Sequence, residues 1–165
     1  MSRIVYVLLS VFFIGCSNMT VEKKRKQVMK IAEKYIEGQM KSPKKTISKE
    51  GLVLLEDSVK SYIIDPSAVF TGRVNDDNHD DAIITIVSYK SGYLGLIEHL
   101  VLINTNGHLI MQCSVESDMK ILGLENGLIT AEVPEYSRNS PLFNCPSCRE
   151  VVKFRFVDGK LIRQD

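Results

Sequence analysis

Apolar residues recur at Val28, Ile31, Ala32, Tyr35 and Ile36, the i, i+3, i+4, i+7, i+8 spacing of one helical stripe. The spacing predicts a helix over residues 21–39, with Thr20 able to cap its start and Gly38 where a stop is expected. Residues 40–47, with Pro43 and three lysines, read as a linker. A second helix is expected over residues 49–63, because Leu52, Leu55, Val59, Tyr62 and Ile63 share a helical face, Ser48 offers a cap, and Asp65-Pro66 supplies an end.

From Ala68 onward the pattern changes to β-branched runs separated by turn pairs. Asn106-Gly107, Asn126-Gly127 and Asp158-Gly159 each lie between apolar stretches, and such pairs supply the two positive-φ positions of a type I′ hairpin. The expected strands are 69–74, 82–89, 96–104, 108–115, 120–124, 128–133, 151–157 and 160–163. Short connections make them an antiparallel meander. Residues 82–87 (AIITIV) are apolar on both faces apart from Thr85, which suits a central strand covered on each side. The expected class is α+β: two N-terminal helices packed on a twisted antiparallel β-sheet of six to eight strands.

The start of the chain carries a different message. Ile4 opens a twelve-residue apolar run to Gly15, preceded by Arg3 and broken by Ser10. As a helix the run covers ~18 Å, short of the ~30 Å hydrocarbon core, so it reads as a signal-peptide core and not a membrane span. It ends in Phe13-Ile14-Gly15-Cys16, which resembles the lipobox of bacterial lipoproteins, with Phe13 in place of the usual leucine. The resemblance implies cleavage before Cys16, diacylglycerol on its thiol and fatty acylation, palmitate among the chains, on the new amino group. Two or three chains anchor a protein stably where one is marginal. A plain secretory signal, or a cytosolic protein with an apolar start, are the alternatives.

The chain as a whole resembles small lipoproteins of Gram-negative bacteria, a resemblance that implies location and no chemistry. The expected organisation is a signal peptide over 1–15, a lipid anchor and basic tether over 16–27, and one α+β domain over 28–165. Ser17 resembles the outer-membrane sorting pattern and not the Asp of inner-membrane retention. The following Asn18-Met19-Thr20 lacks the acidic cluster of surface-exported lipoproteins. An outer-membrane, periplasm-facing lipoprotein is therefore expected, with the membrane as one partner through Cys16 and an envelope protein as another.

Composition fits one globular domain: 165 residues, 44% hydrophobic, 25% charged. A net charge of +1 gives no general attraction to nucleic acid, and none is expected as a partner. The charge is unevenly placed. Residues 22–49 hold ten Lys/Arg against three Glu, a balance of +7, whereas residues 50–165 hold ten against seventeen, a balance of −7. The positive part lies beside Cys16, where each charge can gain up to ~1 kcal/mol against anionic headgroups or simply keep a helix face solvated.

The densest polar cluster is Asn75-Asp76-Asp77-Asn78-His79-Asp80-Asp81. It weakly resembles a degenerate calcium loop of the dockerin and EF-hand kind, which implies Asn75, Asp77 and Asp81 as metal ligands and Asn78 at the left-handed turn. The first position would be Arg73 and the twelfth Ile84, so two strong anionic ligands are lacking. An Asx-turn loop in which the Arg73 guanidinium takes hydrogen bonds from Asp77 or Asp81 is the physical alternative, and partner recognition a third.

Beyond Cys16 the cysteines are Cys113, Cys145 and Cys148. Cys145-Pro-Ser-Cys148 suits a disulfide clip in an oxidising compartment, and it is also similar to the dithiol of thioredoxin-like proteins. Its place in a Ser/Pro/Asn loop, with no βαβ unit, argues for the clip. A bridge from Cys113, or a thiol or metal role, are further options, although Cys113 sits in a strand as a small hydrophobe would. Glu98 and His99 are adjacent on a strand and so point to opposite faces. No complete catalytic constellation is present, and the expected function is a non-enzymatic binding or structural module. The alternatives are a calcium-stabilised module and a thiol-disulfide active protein.

Overall fold

The computed structural model describes residues 20–90, 93–134 and 148–164. One helix, α1 (Val21–Glu37), is followed by ten strands: β1 (Lys44–Ile47), β2 (Val53–Glu56), β3 (Lys60–Gly72), β4 (Asp81–Lys90), β5 (Tyr93–Thr105), β6 (His108–Glu116), β7 (Lys120–Glu125), β8 (Leu128–Pro134), β9 (Arg149–Val157) and β10 (Lys160–Gln164). All pairings are antiparallel. They build a six-stranded sheet in the order β1-β2-β3-β4-β5-β6 and a four-stranded sheet in the order β10-β9-β8-β7.

The helix forms where the stripe predicts it. Thr20 Oγ1 accepts from the Lys23 amide at 3.4 Å, and Val28, Ala32 and Ile36 are buried. Gly38 keeps a right-handed conformation (φ −66°), and the helix ends through a tighter turn in which Gln39 N–H donates to the Ile36 carbonyl. The three predicted hairpin turns are present, with positive φ at Asn106, Gly107, Asn126, Gly127, Asp158 and Gly159.

The second expected helix, over 49–63, is absent; β2 and the start of β3 stand in its place. The same residues satisfy a period of two, with Val53, Leu55, Tyr62 and Ile64 buried on one face. Local polar side chains decide the matter. Ser48 Oγ accepts from the Glu50 and Leu52 amides, closing a turn through Gly51 (φ +85°). Asp57 Oδ1 accepts from the amides of Val59 and Lys60, turning β2 into β3 in the middle of the supposed helix. Pro66 ends no helix. It sits within β3 where the register against β4 shifts between Ile64 and Val69, a place where a strand tolerates a residue without an N–H. The expected linker over 40–47 contains β1, an edge strand exposed along its whole length.

β4 and β5 are covered on both faces, as the AIITIV run predicts. On one side Ala82, Ile84, Ile86, Leu100 and Leu102 pack with Val28, Ala32 and Ile36 of α1. On the other, Ile83 and Val101 pack with Ile121, Leu124, Ile129 and Ala131 of the smaller sheet. The second cover is thus a sheet and not a helix, and the single expected meander is divided in two after β6. The sheets approach closely where β3 meets β7: a Cβ on Gly72 would lie 2.6 Å from the Leu124 carbonyl oxygen.

Candidate functional site

The loop between β3 and β4 is held by Asp81, the first residue of β4, which is completely buried. One carboxylate oxygen accepts from the amides of Val74 (2.8 Å) and Asn75 (3.3 Å), and the other from the Asn104 amide (2.8 Å) on β5. Burial pushes its carboxyl above the usual range, and these three amide bonds offset the push only in part. Asn75 and Asp77 come together on the exposed side. Asn75 Nδ2 donates to Asp77 Oδ2 at 2.9 Å, and Asp77 Oδ1 accepts from the His79 amide at 2.9 Å. Asn78 takes the left-handed turn at φ 63°, and His79 is exposed.

The cation at this loop is Lys24 of α1, not Arg73. Lys24 is 4% exposed, and its Nζ donates to the Asp80 carbonyl and carboxylate, both at 3.1 Å. Asn104 Nδ2 also donates to the Asp80 carbonyl, at 3.2 Å, while Asn104 Oδ1 accepts from Gly107 N–H in the next hairpin. Arg73 is exposed; the Asp81 oxygens face main-chain amides, and those of Asp77 face Asn75 and His79. Lys24 was legible in principle, since it extends the buried row Val28, Ala32, Ile36 by one step of four. Its place in a run of four cations hid it.

Asn75, Asp77 and Asp81 thus share one loop, with Asp81 turned inward to main-chain amides and Asn75 and Asp77 bonded to each other on the exposed side. Among the described residues no three His, Cys, Asp or Glu side chains are placed to share a metal ion.

Glu98 and His99 point to opposite faces, as their adjacency predicts. Glu98 lies under α1 and accepts from the Tyr35 hydroxyl at 3.1 Å. His99 lies between the sheets, fully buried, with Nδ1 3.0 Å from Thr85 Oγ1 and, among the described residues, no hydrogen-bond partner at Nε2. Burial lowers its pKa to about 4, so the ring is neutral at pH 7. Ser117 Oγ and Arg149 Nε are likewise buried without a partner among the described residues. Arg149 donates through Nη2 to the carbonyls of Asp118 and Glu132. An apolar cavity of about 410 Å³ opens beside them between the sheets, lined by Val115, Met119, Val133, Phe154 and Leu161. His99 is enclosed, and its neutral ring lies in the layer between the sheets.

The β4–β5 hairpin projects past the end of β6, whose pairing with β5 begins at Glu98. Tyr93, Leu94 and Leu96 are exposed there, beside a groove of about 490 Å³ bounded by Ile97, Glu116 and Asp118. The strand edge is irregular: register against β4 shifts between Val87 and Tyr89, and Ser88 Oγ bonds both the amide and the carbonyl of Leu96.

Cys113 on β6 is a free thiol, half-buried, and burial raises its pKa, as for an unreactive packing residue. Cys148 is half-buried just before β9. Cys16 and Cys145 lie outside the described residues, as does the whole lipobox. Among the described residues no helix is long and apolar enough to cross a membrane. No protein-family model matches this chain, and neither a curated protein nor a solved structure is significantly similar to it.

Proposed function

We propose that this is a lipid-anchored protein of the bacterial cell envelope, acylated at Cys16 after loss of residues 1–15, and that its α+β domain is a non-enzymatic binding or structural module facing the periplasm from the outer membrane. The observation that carries the proposal is the apolar run ending in Gly15-Cys16, four residues before the Thr20 that caps α1. An anchor there reaches the folded domain through a connection too short to stray far from the bilayer. A binding role is supported by the exposed Tyr93, Leu94 and Leu96, the kind of projecting apolar surface that partners cover. An envelope protein is the partner this surface suits. A Cys145–Cys148 clip accompanies the proposal, because an oxidising compartment permits it.

Fractionation of cells expressing the full chain tests the anchor. Wild-type protein is expected in the membrane fraction and released by detergent, and Cys16→Ser is expected to leave that fraction or to accumulate unprocessed. Equal behaviour of the two would end the proposal.

A further inference from the structure

Lys23, Lys26, Lys30 and Lys34 follow one another along α1 at i, i+3, i+7 and i+11, and all four are exposed. They line the face opposite the buried row of Lys24, Val28, Ala32 and Ile36. The helix offers little to neutralise them. Glu22 pairs with Lys26 at 2.7 Å, Glu33 turns aside to Lys45 of β1, and Glu37 stands at the far end. Among the described residues Lys23, Lys30 and Lys34 are in no ion pair. A face meant only for solubility is well served by both signs interspersed. Here α1 carries six Lys/Arg against three Glu, while residues 50–165 carry a balance of −7.

Position adds to charge. Thr20 follows Cys16 by four positions, a reach of at most ~14 Å, so an acyl anchor would hold the start of the stripe within about two Debye lengths of the headgroups. Lysine ammonium groups on flexible stems suit diffuse attraction to a layer of phosphates and not a fixed bidentate contact. The apolar side of α1 is spent on the core, so the contact would be electrostatic and non-inserting.

We propose that the Lys23, Lys26, Lys30 and Lys34 face of α1 docks on an anionic phospholipid surface and lays the helix along the membrane. The inference rests on the Cys16 anchor for proximity, but the docking chemistry belongs to the stripe alone. Both sheets then lie on the side of α1 away from the lipid.

Amine footprinting of the protein as purified from native membranes tests it. The protein is mixed with excess phosphatidylcholine vesicles, with or without about a third phosphatidylglycerol, and treated with a water-soluble acylating reagent; peptide mass spectrometry reads each lysine. Expected is a several-fold protection of Lys23, Lys26, Lys30 and Lys34 with phosphatidylglycerol, lost in 0.5 M salt, while Lys120, Lys153 and Lys160 of the smaller sheet label equally throughout. Equal labelling with both vesicle types, or protection centred on the sheet lysines, would overturn the proposal. So would protection by poly-glutamate without protection by vesicles, which would assign the face to an acidic protein. Flotation of the same samples reports separately on the anchor: protein that fails to float with pure phosphatidylcholine has no working anchor, and the footprint with anionic vesicles still decides the docking face.

Discussion

Asp81 and Lys24 meet the same loop, yet they should matter very differently to stability. Asp81 is buried and satisfies three main-chain amides, two of them at 2.8 Å. Asp81→Ala would orphan all three, and because an unsatisfied buried donor costs about 1–3 kcal/mol, a loss of about 3 kcal/mol or more is expected in urea unfolding. Lys24→Met keeps the buried stem and loses an ion pair whose acidic partner, Asp80, is 63% exposed; a change below about 1 kcal/mol is expected. A similar effect for both substitutions would contradict this network. His99 adds a pH dependence of definite sign. The unfolded state takes up a proton near pH 6.5, but the folded state only near pH 4, so stability is full above 6.5 and falls as pH drops toward 4, by about 3 kcal/mol. Asp81, with its pKa raised, acts in the opposite sense, favouring the fold most below the ordinary carboxylate range. The contribution of His99 is therefore read as a difference: His99→Asn should have a flatter stability profile between pH 6.5 and 4 than the wild type, and parallel profiles would refute the assignment.

At the scale of elements, what was legible followed from local chemistry. The Asn-Gly and Asp-Gly turns fixed three hairpins because their positive φ is a property of two adjacent residues. The stripe of α1 was equally local. The failure over 49–63 has the same origin: Leu52, Leu55, Val59 and Tyr62 fit a helical period, Val53, Leu55, Tyr62 and Ile64 fit a strand period, and Asp57 bonding Val59 and Lys60 settles the competition. The division into two sheets was not legible, because which strand faces which is decided by residues far apart, such as Gly72 against Leu124. In the acidic loop the left-handed turn at Asn78 was readable, but the Lys24 partner of Asp80 comes from α1, and one of the three amides on Asp81 comes from β5. Since those partners already close the loop, millimolar calcium is expected to leave the melting temperature unchanged. A rise reversed by EDTA would restore Asn75, Asp77 and Asp81 as a metal site.

On the scale of the whole molecule, the features divide along its length. The cap of α1 follows Cys16 by four residues, and Lys24 and Asp80 tie that end of the helix to the β3–β4 loop. Tyr35 and Glu98 join the helix to β5 near its other end, and the exposed Tyr93, Leu94 and Leu96 project beyond that point. The proposed attachment would thus join the molecule near Thr20, and the exposed apolar residues lie near the other end of α1. Everything proposed for the envelope rests on that anchor, and intact-mass spectrometry of protein extracted from native membranes reads it. Expected is a chain beginning at Cys16 and heavier than its residues by a diacylglycerol and, on full maturation, a further acyl group. A chain retaining Met1, or one with an unmodified Cys16 thiol, would contradict it.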